Sequence, residues 1–277
     1  MANKDATYYE RMQSSASNKI DSIRDFVKQG TRVLDFGSGL NTDVADFVTQ
    51  EGGYYVSVDS ELGVHNFLTE RGIECHLSLE EVQGQFNLVF LSSVMHEVFS
   101  FNSPIDVAHL IRDLSALVAE GGMVVIRDWW IPTLMDDCLS EPMLLELQEI
   151  KVEEELSPSD ELQTWLDKLK ANGIISNMAS ICKTRDEKMA LLGLRRDIYE
   201  IFFHCVWGLK SLERESRERY IVDRAQITSL FAVNGVEVEK IENFFDDDYK
   251  VHAGRLFKYP VLPGPSKSLV ILKKTQL

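Results

Sequence analysis

The most constraining feature of this 277-residue sequence is an apolar strand pattern that ends in an acid and a glycine turn. Thr31 to Phe36 has the composition of a short buried strand, Gly37-Ser38-Gly39 follows as a turn, and residues 42–49 have a helical pattern. Tyr54 to Asp59 is a second strand pattern that also ends in an acid. Because glycine lets the backbone bend and approach a ligand closely, this unit predicts a binding turn at the strand ends.

Further strand patterns recur along the chain and predict its fold class. Ile73 to Leu77 could form a short third strand, Phe86 to Leu91 is continuously apolar after Asn87, and Met123 to Ile126 is another apolar strand pattern. Helical patterns separate these strands, which favours a doubly wound α/β fold. Val236 to Phe244 and Ser268 to Leu272 follow near the end of the chain without a helix between them, so we expect them to pair antiparallel. The prediction is a seven-stranded, mostly parallel sheet with a C-terminal antiparallel hairpin.

Charge and cysteine content narrow the class of protein. The formal net charge is -15, which argues against duplex DNA as a partner, since DNA-binding proteins usually present a basic face. The four cysteines lack the spacing of a zinc site or redox pair, and no stretch has the length and apolarity of a membrane span. We therefore expect a cytoplasmic protein without membrane association and without a metal site.

The two acids at the strand ends distinguish between candidate cofactors. A carboxylate such as Asp59, about twenty residues after a glycine turn, typically binds ribose hydroxyls. Thr42 occupies the position of the third glycine in a dinucleotide-binding motif, and Asp35 would repel a pyrophosphate. A cationic sulfonium with an α-amino group would instead be attracted. The pattern favours S-adenosylmethionine over a nicotinamide cofactor, which remains an alternative.

Four segments of the sequence resemble the class I S-adenosylmethionine-dependent methyltransferases, which have a Rossmann-like fold. They are VLDFGSGLN at Val33 to Asn41, YYVSVDSE at Tyr54 to Glu61, FNLVFLSSVMHEV at Phe86 to Val98, and GGMVVIRDW at Gly121 to Trp129. The resemblance covers residues 1–130 and the last forty, and leaves the middle of the chain unexplained.

The resemblance also implies a set of cofactor-binding residues. Asp35, Gly37 and Gly39 would surround the methionine part of S-adenosylmethionine, and Asp59 would bind its ribose. Ser92 and Ser93 would lie beside the methyl donor. The complete predicted cofactor set is Asp35, Phe36, Gly37, Ser38, Gly39, Asp59, Ser60, Ser92 and Ser93.

The middle of the chain is expected to be an inserted cap. After Pro132 the patterns become helical, at Leu144 to Leu156, Asp160 to Lys170 and Arg195 to Tyr220, with no convincing strand. The predicted organisation is an N-terminal helical segment at 1–30, a cofactor-binding α/β core at 31–130, a helical substrate cap at 131–222, and the last helix with the terminal hairpin at 223–277.

Three residues that follow the fourth and fifth strands are catalytic candidates. His96 and Glu97 come after the fourth strand, where a base could remove a proton from an attacking hydroxyl or amine. Asp128 leaves the fifth strand toward the same crevice. The competing interpretation is that His96 or Glu97 only caps the turn between strand and helix.

Aromatic residues supply the candidates for substrate binding. Trp129 and Trp130 could line a pocket, or one of them could anchor the cap to the core. In the cap, Tyr199, His204 and Trp207 fall on one helical stripe, which is more often core packing than a pocket wall. The polar member His204 is included because a buried histidine needs a partner.

The resulting hypothesis is methyl transfer from S-adenosylmethionine to an oxygen or nitrogen atom of a small molecule. One alternative is methylation of single-stranded RNA or RNA ends, bound by a local basic groove on the helix from Arg195 to Arg219. Acidic residues interleave with that patch, so a solvated helix face with ion pairs is the simpler interpretation. Another alternative is a methyltransferase-like module that binds without catalysis.

Overall fold

The computed structural model describes residues 16–40, 42–129, 137–148, 157–244, 254–258 and 266–275. These residues form two compact units. The first contains residues up to 128 together with 225–242 and 268 onward, and the second contains 129–224 and 243–267. Trp130 and the predicted helical residues 5–15 and 149–156 lie outside the described residues.

The described elements alternate between helix and strand through most of the first unit. The helices are α1 (Ala16–Ile23), α2 (Asp43–Gln50), α3 (Leu62–Thr69), α4 (Met95–Phe101), α5 (Pro104–Leu117), α6 (Pro158–Ala171), α7 (Arg195–Cys205), α8 (Leu212–Glu215) and α9 (Arg224–Ala232). The strands are β1 (Arg32–Phe36), β2 (Tyr54–Val58), β3 (Glu74–His76), β4 (Phe86–Ser92), β5 (Val118–Trp129), β6 (Pro142–Glu146), β7 (Ser180–Lys183), β8 (Met189–Leu194), β9 (Val236–Phe244) and β10 (Lys267–Lys274). Short 3₁₀ helices occupy Arg24–Phe26, Leu79–Glu81, Asp137–Ser140 and Leu209–Ser211.

A seven-stranded sheet organises the first unit, in the order β3-β2-β1-β4-β5-β10-β9. The pairs β1–β2, β1–β4, β2–β3 and β4–β5 are parallel, and the two C-terminal strands are antiparallel. The predicted mostly parallel sheet and its terminal antiparallel strands are therefore confirmed. Strand order reverses at β1, so the crevice beside β1 and β4 is the place where ligands of such sheets bind.

Local sequence explains the elements that frame this crevice. The core of β4 is buried on both faces because Leu88 to Leu91 is continuously apolar. At the start of α5, the backbone N–H of Asp106 donates to Ser103 Oγ at 3.4 Å, and Pro104 occupies the first turn, as the capping pattern predicts.

The second unit departs from the prediction, because it contains a sheet. Strands β6, β8 and β7 form a three-stranded antiparallel sheet in that order, with Leu144 opposite Leu192. The prediction that this region contains no strand, and the helix predicted to begin at Leu144, are therefore wrong, whereas the helix predicted at Asp160 to Lys170 is confirmed by α6. Leucine intrinsically favours helices, but here pairing with neighbouring strands overrides that local preference.

The predicted helix from Arg195 to Tyr220 is also wrong in extent. Helix α7 ends at Cys205, and Gly208 follows with a φ of +72°, a conformation that an α-helix cannot contain. A 3₁₀ turn and the single-turn helix α8 then follow.

Part of the connection between β9 and β10 belongs to the second unit. Phe257 forms an antiparallel bridge with Leu147, the residue after β6, and the backbone N–H of Lys258 donates to the Glu146 carbonyl at 3.0 Å. Arg255 forms an ion pair with Glu161 of α6. Residues 254–258 are thus held by main-chain hydrogen bonds and an ion pair.

Within the described ranges, no helix is both long enough and apolar enough to cross a bilayer.

Candidate functional site

Four of the predicted site segments meet at one edge of the large sheet. Strands β1, β2, β4 and β5 are parallel neighbours, so their carboxyl ends lie together. The register places Phe36 beside both Val58 and Leu91, and Ser92 beside Arg127. Phe36 itself is the last, half-buried residue of β1.

The glycine turn contains two glycines, Gly37 and Gly39, that differ in how much space surrounds the position of a Cβ atom. Gly37 has a φ of +72°, and a Cβ atom there would lie 2.4 Å from Val94 Cγ2, so the packing of the protein itself excludes a side chain. Gly39 has a φ of +62°, and no atom of the described residues lies within 4 Å of the position of its Cβ. The turn therefore borders open space at Gly39, where a ligand could approach the backbone.

Asp59 holds this turn from the neighbouring strand. Its Oδ2 accepts the backbone N–H of Gly39 at 3.0 Å, and its Oδ1 accepts that of Glu61 at 3.0 Å. The carboxylate thus orders the turn and the start of α3. Each oxygen keeps a second lone pair, so ribose hydroxyls could still donate to it. The adjacent Ser60 is exposed.

Asp35 is a buried carboxyl beneath the turn, with 4% of its surface exposed. Burial raises its pKa from the ordinary value to about 6, while Lys19 and the hydroxyl of Tyr55, which donates to Oδ2 at 2.8 Å, act to lower it. The negative charge of Asp59 acts to raise it. At neutral pH Asp35 is mostly ionised, and a bound cation would favour its charged form.

Three serines complete the crevice. The hydroxyls of Ser38 and Ser92 are buried and, within the described part of the chain, have no hydrogen-bond partner. Ser93 has a φ of +56°, and its N–H donates to the Arg127 carbonyl at 2.7 Å. Buried hydroxyls without partners are costly, and a polar ligand in the crevice would satisfy them.

His96 and Asp128 form a buried pair beside these serines. Nδ1 of His96 lies 2.8 Å from Oδ1 of Asp128, and both side chains are at most 5% exposed. Oδ2 of Asp128 accepts the backbone N–H groups of Met95 and His96, so the same carboxylate caps helix α4. Glu97 lies in the first turn of that helix and is half-buried. Two of the three catalytic candidates are thus brought into direct contact.

Comparison with known proteins gave structural matches only. No protein-family model matches the sequence, and no curated protein matches it. An S-adenosylmethionine-dependent methyltransferase from Mesorhizobium loti is 14% identical, with a TM-score of 0.52 over 91% of this chain and 96% of that chain. Magnesium protoporphyrin IX methyltransferase from Synechocystis, with bound S-adenosylhomocysteine, is 11% identical, with a TM-score of 0.50 over 99% of this chain and 90% of that chain.

A third solved structure is the pyocyanin biosynthetic protein PhzM, at 12% identity and a TM-score of 0.50 over 98% of this chain and 60% of that chain. At these identities the likeness is one of fold, and it agrees with the strand order of the large sheet. The chain has the class I methyltransferase fold.

Within this methyltransferase fold, two buried cations were missed by the sequence reasoning. Lys19 of α1 is 4% exposed, and Arg127 at the end of β5 is 1% exposed. Lys19 precedes the fully buried Ile23 by four residues, which puts both on one helical face. A lysine on the buried face of a helix is the signal that could have identified it.

The aromatic candidates fall in the second unit of the methyltransferase fold. Trp129 contacts the Tyr220 ring at a centroid distance of 4.4 Å and the Phe203 ring at 5.0 Å, and the ammonium of Lys267 lies 3.9 Å from the Trp129 ring centroid. Trp129 is therefore a core residue of the second unit. Trp207 packs at its margin, 6.4 Å from Trp129.

Tyr199 and His204 require a correction. Both are buried in the core of the second unit, at 1% and 0% exposure. The ring nitrogens of His204 lie 2.6 Å and 3.0 Å from the backbone carbonyl oxygens of Glu200 and Glu218, so the ring is held between two backbone acceptors. The Glu200 carboxylate lies 3.8 Å from Nδ1 of His204. These are packing residues, which corrects their assignment to substrate binding.

Proposed function

We propose that this protein is an S-adenosylmethionine-dependent methyltransferase that binds its cofactor at the carboxyl edge of β1, β2 and β4. The observation that carries the proposal is the joint arrangement of Gly39, Asp59 and Asp35, in which an open glycine turn is hydrogen-bonded to one acid and lies above another. The class I methyltransferase fold of the chain supports this proposal. The matched methyltransferase from Synechocystis carries S-adenosylhomocysteine.

The residues at this edge suit the parts of the cofactor. Asp59 would accept hydrogen bonds from the ribose hydroxyls, and Asp35 with Gly37 and Gly39 would surround the methionine part. The unpartnered hydroxyls of Ser38 and Ser92 supply further polar contacts, with Phe36, Ser60 and Ser93 adjoining. Bound there, S-adenosylmethionine supplies an electrophilic methyl group.

His96 is the proposed general base, with Asp128 as its positioning residue. Because Nδ1 of His96 donates to the Asp128 carboxylate, Nε2 is the nitrogen that accepts a proton. That proton would come from the oxygen or nitrogen atom that attacks the methyl group. Glu97, one residue along α4, is a secondary candidate for contact with the acceptor.

A small molecule is the proposed acceptor. The matched proteins named for their substrates or pathways are a magnesium protoporphyrin methyltransferase and a pyocyanin biosynthetic protein, which supports a small acceptor. The RNA alternative is not favoured, because Arg195 pairs with Glu141, Arg214 pairs with Glu215, and the segment is not a continuous basic helix. Trp207 stays a candidate for acceptor binding, as does Trp130, which lies outside the described residues.

Location in the cytoplasm also belongs to this proposal. Cys75, Cys182 and Cys205 are free thiols, which suits a reducing compartment.

The test is transfer of a labelled methyl group from S-adenosylmethionine to a panel of small hydroxyl and amine compounds, with RNA oligonucleotides included. We expect wild-type protein to methylate a small acceptor, and His96→Gln to retain cofactor binding while losing turnover. Cofactor binding without transfer to any acceptor would instead support the inactive binding module. Transfer to RNA alone would overturn the small-molecule assignment.

A further inference from the structure

Strand β9 forms one edge of the seven-stranded sheet. The sheet order ends in β10-β9, so within the described residues β9 is hydrogen-bonded to β10 alone. The strand is 9 residues long, contains neither proline nor glycine, and is exposed from residue 237 to residue 243. An exposed edge strand of this kind presents backbone N–H and C=O groups with which a further strand can pair.

The side chains of β9 decide which partner could pair with this edge. Its charged residues are Glu237, Glu239, Lys240 and Glu242. Lys240 and Glu242 form an exposed ion pair along the strand, while the apolar Val238 and Ile241 are 42% and 37% exposed. Charges on an edge strand usually discourage pairing, but both signs are present here, so their effect depends on the register of the partner.

A second copy of β9 is the partner that this edge fits, and symmetry limits its registers. A closed two-fold dimer brings the same edge of each chain together, with the two strands antiparallel. Opposite residues must lie on the same face of the sheet, so the two-fold axis passes through a residue position. Axis positions from 238 to 242 pair at least five residues of each strand.

Like charges disfavour all but one of these registers. An axis at Val238, Glu239 or Glu242 sets glutamates of the two copies opposite each other. An axis at Lys240 sets two lysines opposite each other. Like charges directly opposite on neighbouring strands are destabilising, which leaves the register with its axis at Ile241.

The register centred on Ile241 is complementary in both charge and apolar contact. Lys240 of each copy lies opposite Glu242 of the other, so opposite charges meet twice. Val238 of each copy lies opposite Phe244 of the other, and the two Ile241 side chains face each other. The same charges that disfavour the other registers therefore favour this one.

We propose that the edge of β9 is a self-association surface, where two copies of the chain pair antiparallel with Ile241 at the two-fold axis. The two large sheets then become one continuous sheet. This inference goes beyond the proposed function and does not depend on methyl transfer. A single strand pair buries less surface than a standard interface, so the dimer should form reversibly, with a dissociation constant on the order of 10 µM.

Charge reversal tests the register. Sedimentation velocity of the full chain between about 5 and 200 µM should show a monomer–dimer equilibrium for wild-type protein. Lys240→Glu and Glu242→Lys each set like charges opposite, so each variant should dimerise at least about tenfold more weakly. An equal mixture of the two should form a heterodimer, because their strands again carry opposite charges. Glu237→Lys is the matched control, since it makes the same charge change outside the paired residues 238–244 and should dimerise as wild type.

Disulfide cross-linking locates the axis independently. Opposite Cα atoms in an antiparallel pair are about 4.5 to 5.5 Å apart, which is within the range of a disulfide. Under mild oxidation, Ile241→Cys should therefore form a covalent dimer. Glu239→Cys, exposed on the same strand, should not, because its own copy lies several residues away along the partner strand.

Three results would overturn the inference. The first is wild-type protein that stays monomeric throughout the concentration range. The second is undiminished dimerisation by a Lys240→Glu or Glu242→Lys protein whose melting temperature is normal, or a mixture of these two that does not associate. The third is faster cross-linking of Glu239→Cys than of Ile241→Cys. Cofactor binding and turnover are measured separately, so none of these results bears on the proposed function.

Discussion

Oδ1 of Asp128 lies 2.8 Å from Nδ1 of His96, at a point where both side chains are buried. The other oxygen of Asp128 accepts two backbone N–H groups at the start of α4, the helix that carries His96. One carboxylate on β5 therefore fixes the beginning of the helix, the orientation of the imidazole and the tautomer of its ring.

Asp128→Asn should separate these roles. An asparagine oxygen can still accept the helix N–H groups, but its amide cannot also act as the anionic partner of Nδ1–H, so the ring would take the other tautomer. We expect turnover to fall by about 10²-fold or more, with unchanged affinity for S-adenosylhomocysteine. Steady-state kinetics and calorimetry measure the two effects, and a variant with full turnover would show that the pair is only structural.

The two glycines of the turn should respond differently to alanine. Gly37→Ala places its methyl group 2.4 Å from Val94 Cγ2 in a left-handed conformation, so we expect a loss of about 2 to 4 kcal/mol in the free energy of unfolding. Gly39→Ala meets no neighbour within 4 Å in the described part of the chain and should lose about 1 kcal/mol. Chemical denaturation measures both values.

Cofactor affinity then tests what lies beside Gly39. The methyl group of Gly39→Ala would project into the space proposed for the ligand, so binding should be lost from a folded protein. Gly30→Ala is the matched control, because Gly30 has a φ of +81°, open surroundings and no place in the proposed site. Equal affinities for the two variants would contradict the position of the ligand.

Cofactor affinity should depend on pH through Asp35. Its pKa is raised to about 6, so the carboxylate that attracts the cationic ligand is present above pH 6 and is lost as the pH falls through that value. We expect affinity for S-adenosylmethionine to be about tenfold lower at pH 5 than at pH 7. Calorimetry over this range with Asp35→Asn should give weaker and pH-independent binding; an unchanged slope in that variant would assign the effect to another group.

The second unit should depend on His204 for stability. His204→Leu leaves two buried backbone carbonyl oxygens without the ring nitrogens that contact them, which should cost about 3 kcal/mol in the free energy of unfolding. His109→Leu, at an exposed position of α5, should change this free energy by less than about 0.5 kcal/mol. A folded His204→Leu protein of normal stability with altered acceptor binding would restore the original substrate assignment.

The sequence predicted the large sheet because its signals are local. The strands β4 and β5 contain continuous apolar stretches, the glycine turn marks the end of β1, and parallel topology places the strand ends together. The second unit was predicted less well, since leucine-rich segments such as Leu144 to Leu147 adopt strands only through pairing with distant residues.

At the candidate site, the remaining differences between the sequence prediction and the structure concern which side chains contact each other. Position alone indicated Asp59 and His96, but the contacts of Asp128 with α4 span more than thirty residues of sequence and follow from folding. The sequence prediction used only the apolar residues of α1 and did not include Lys19. The burial of Lys19 depends on how α1 packs. His204 was misassigned because its carbonyl partners come from backbone positions that no sequence pattern marks.

The most direct test of the central claim is a calorimetric titration of purified protein with S-adenosylmethionine and S-adenosylhomocysteine. It would use wild-type protein, Asp59→Ala, and the control Asp113→Ala, in which an exposed acid of α5 is removed. The account predicts saturable binding by wild-type protein and by Asp113→Ala, and at least a tenfold loss for an Asp59→Ala protein that melts cooperatively. Folded wild-type protein that binds neither compound would contradict the assignment of the glycine turn and Asp59 to this cofactor.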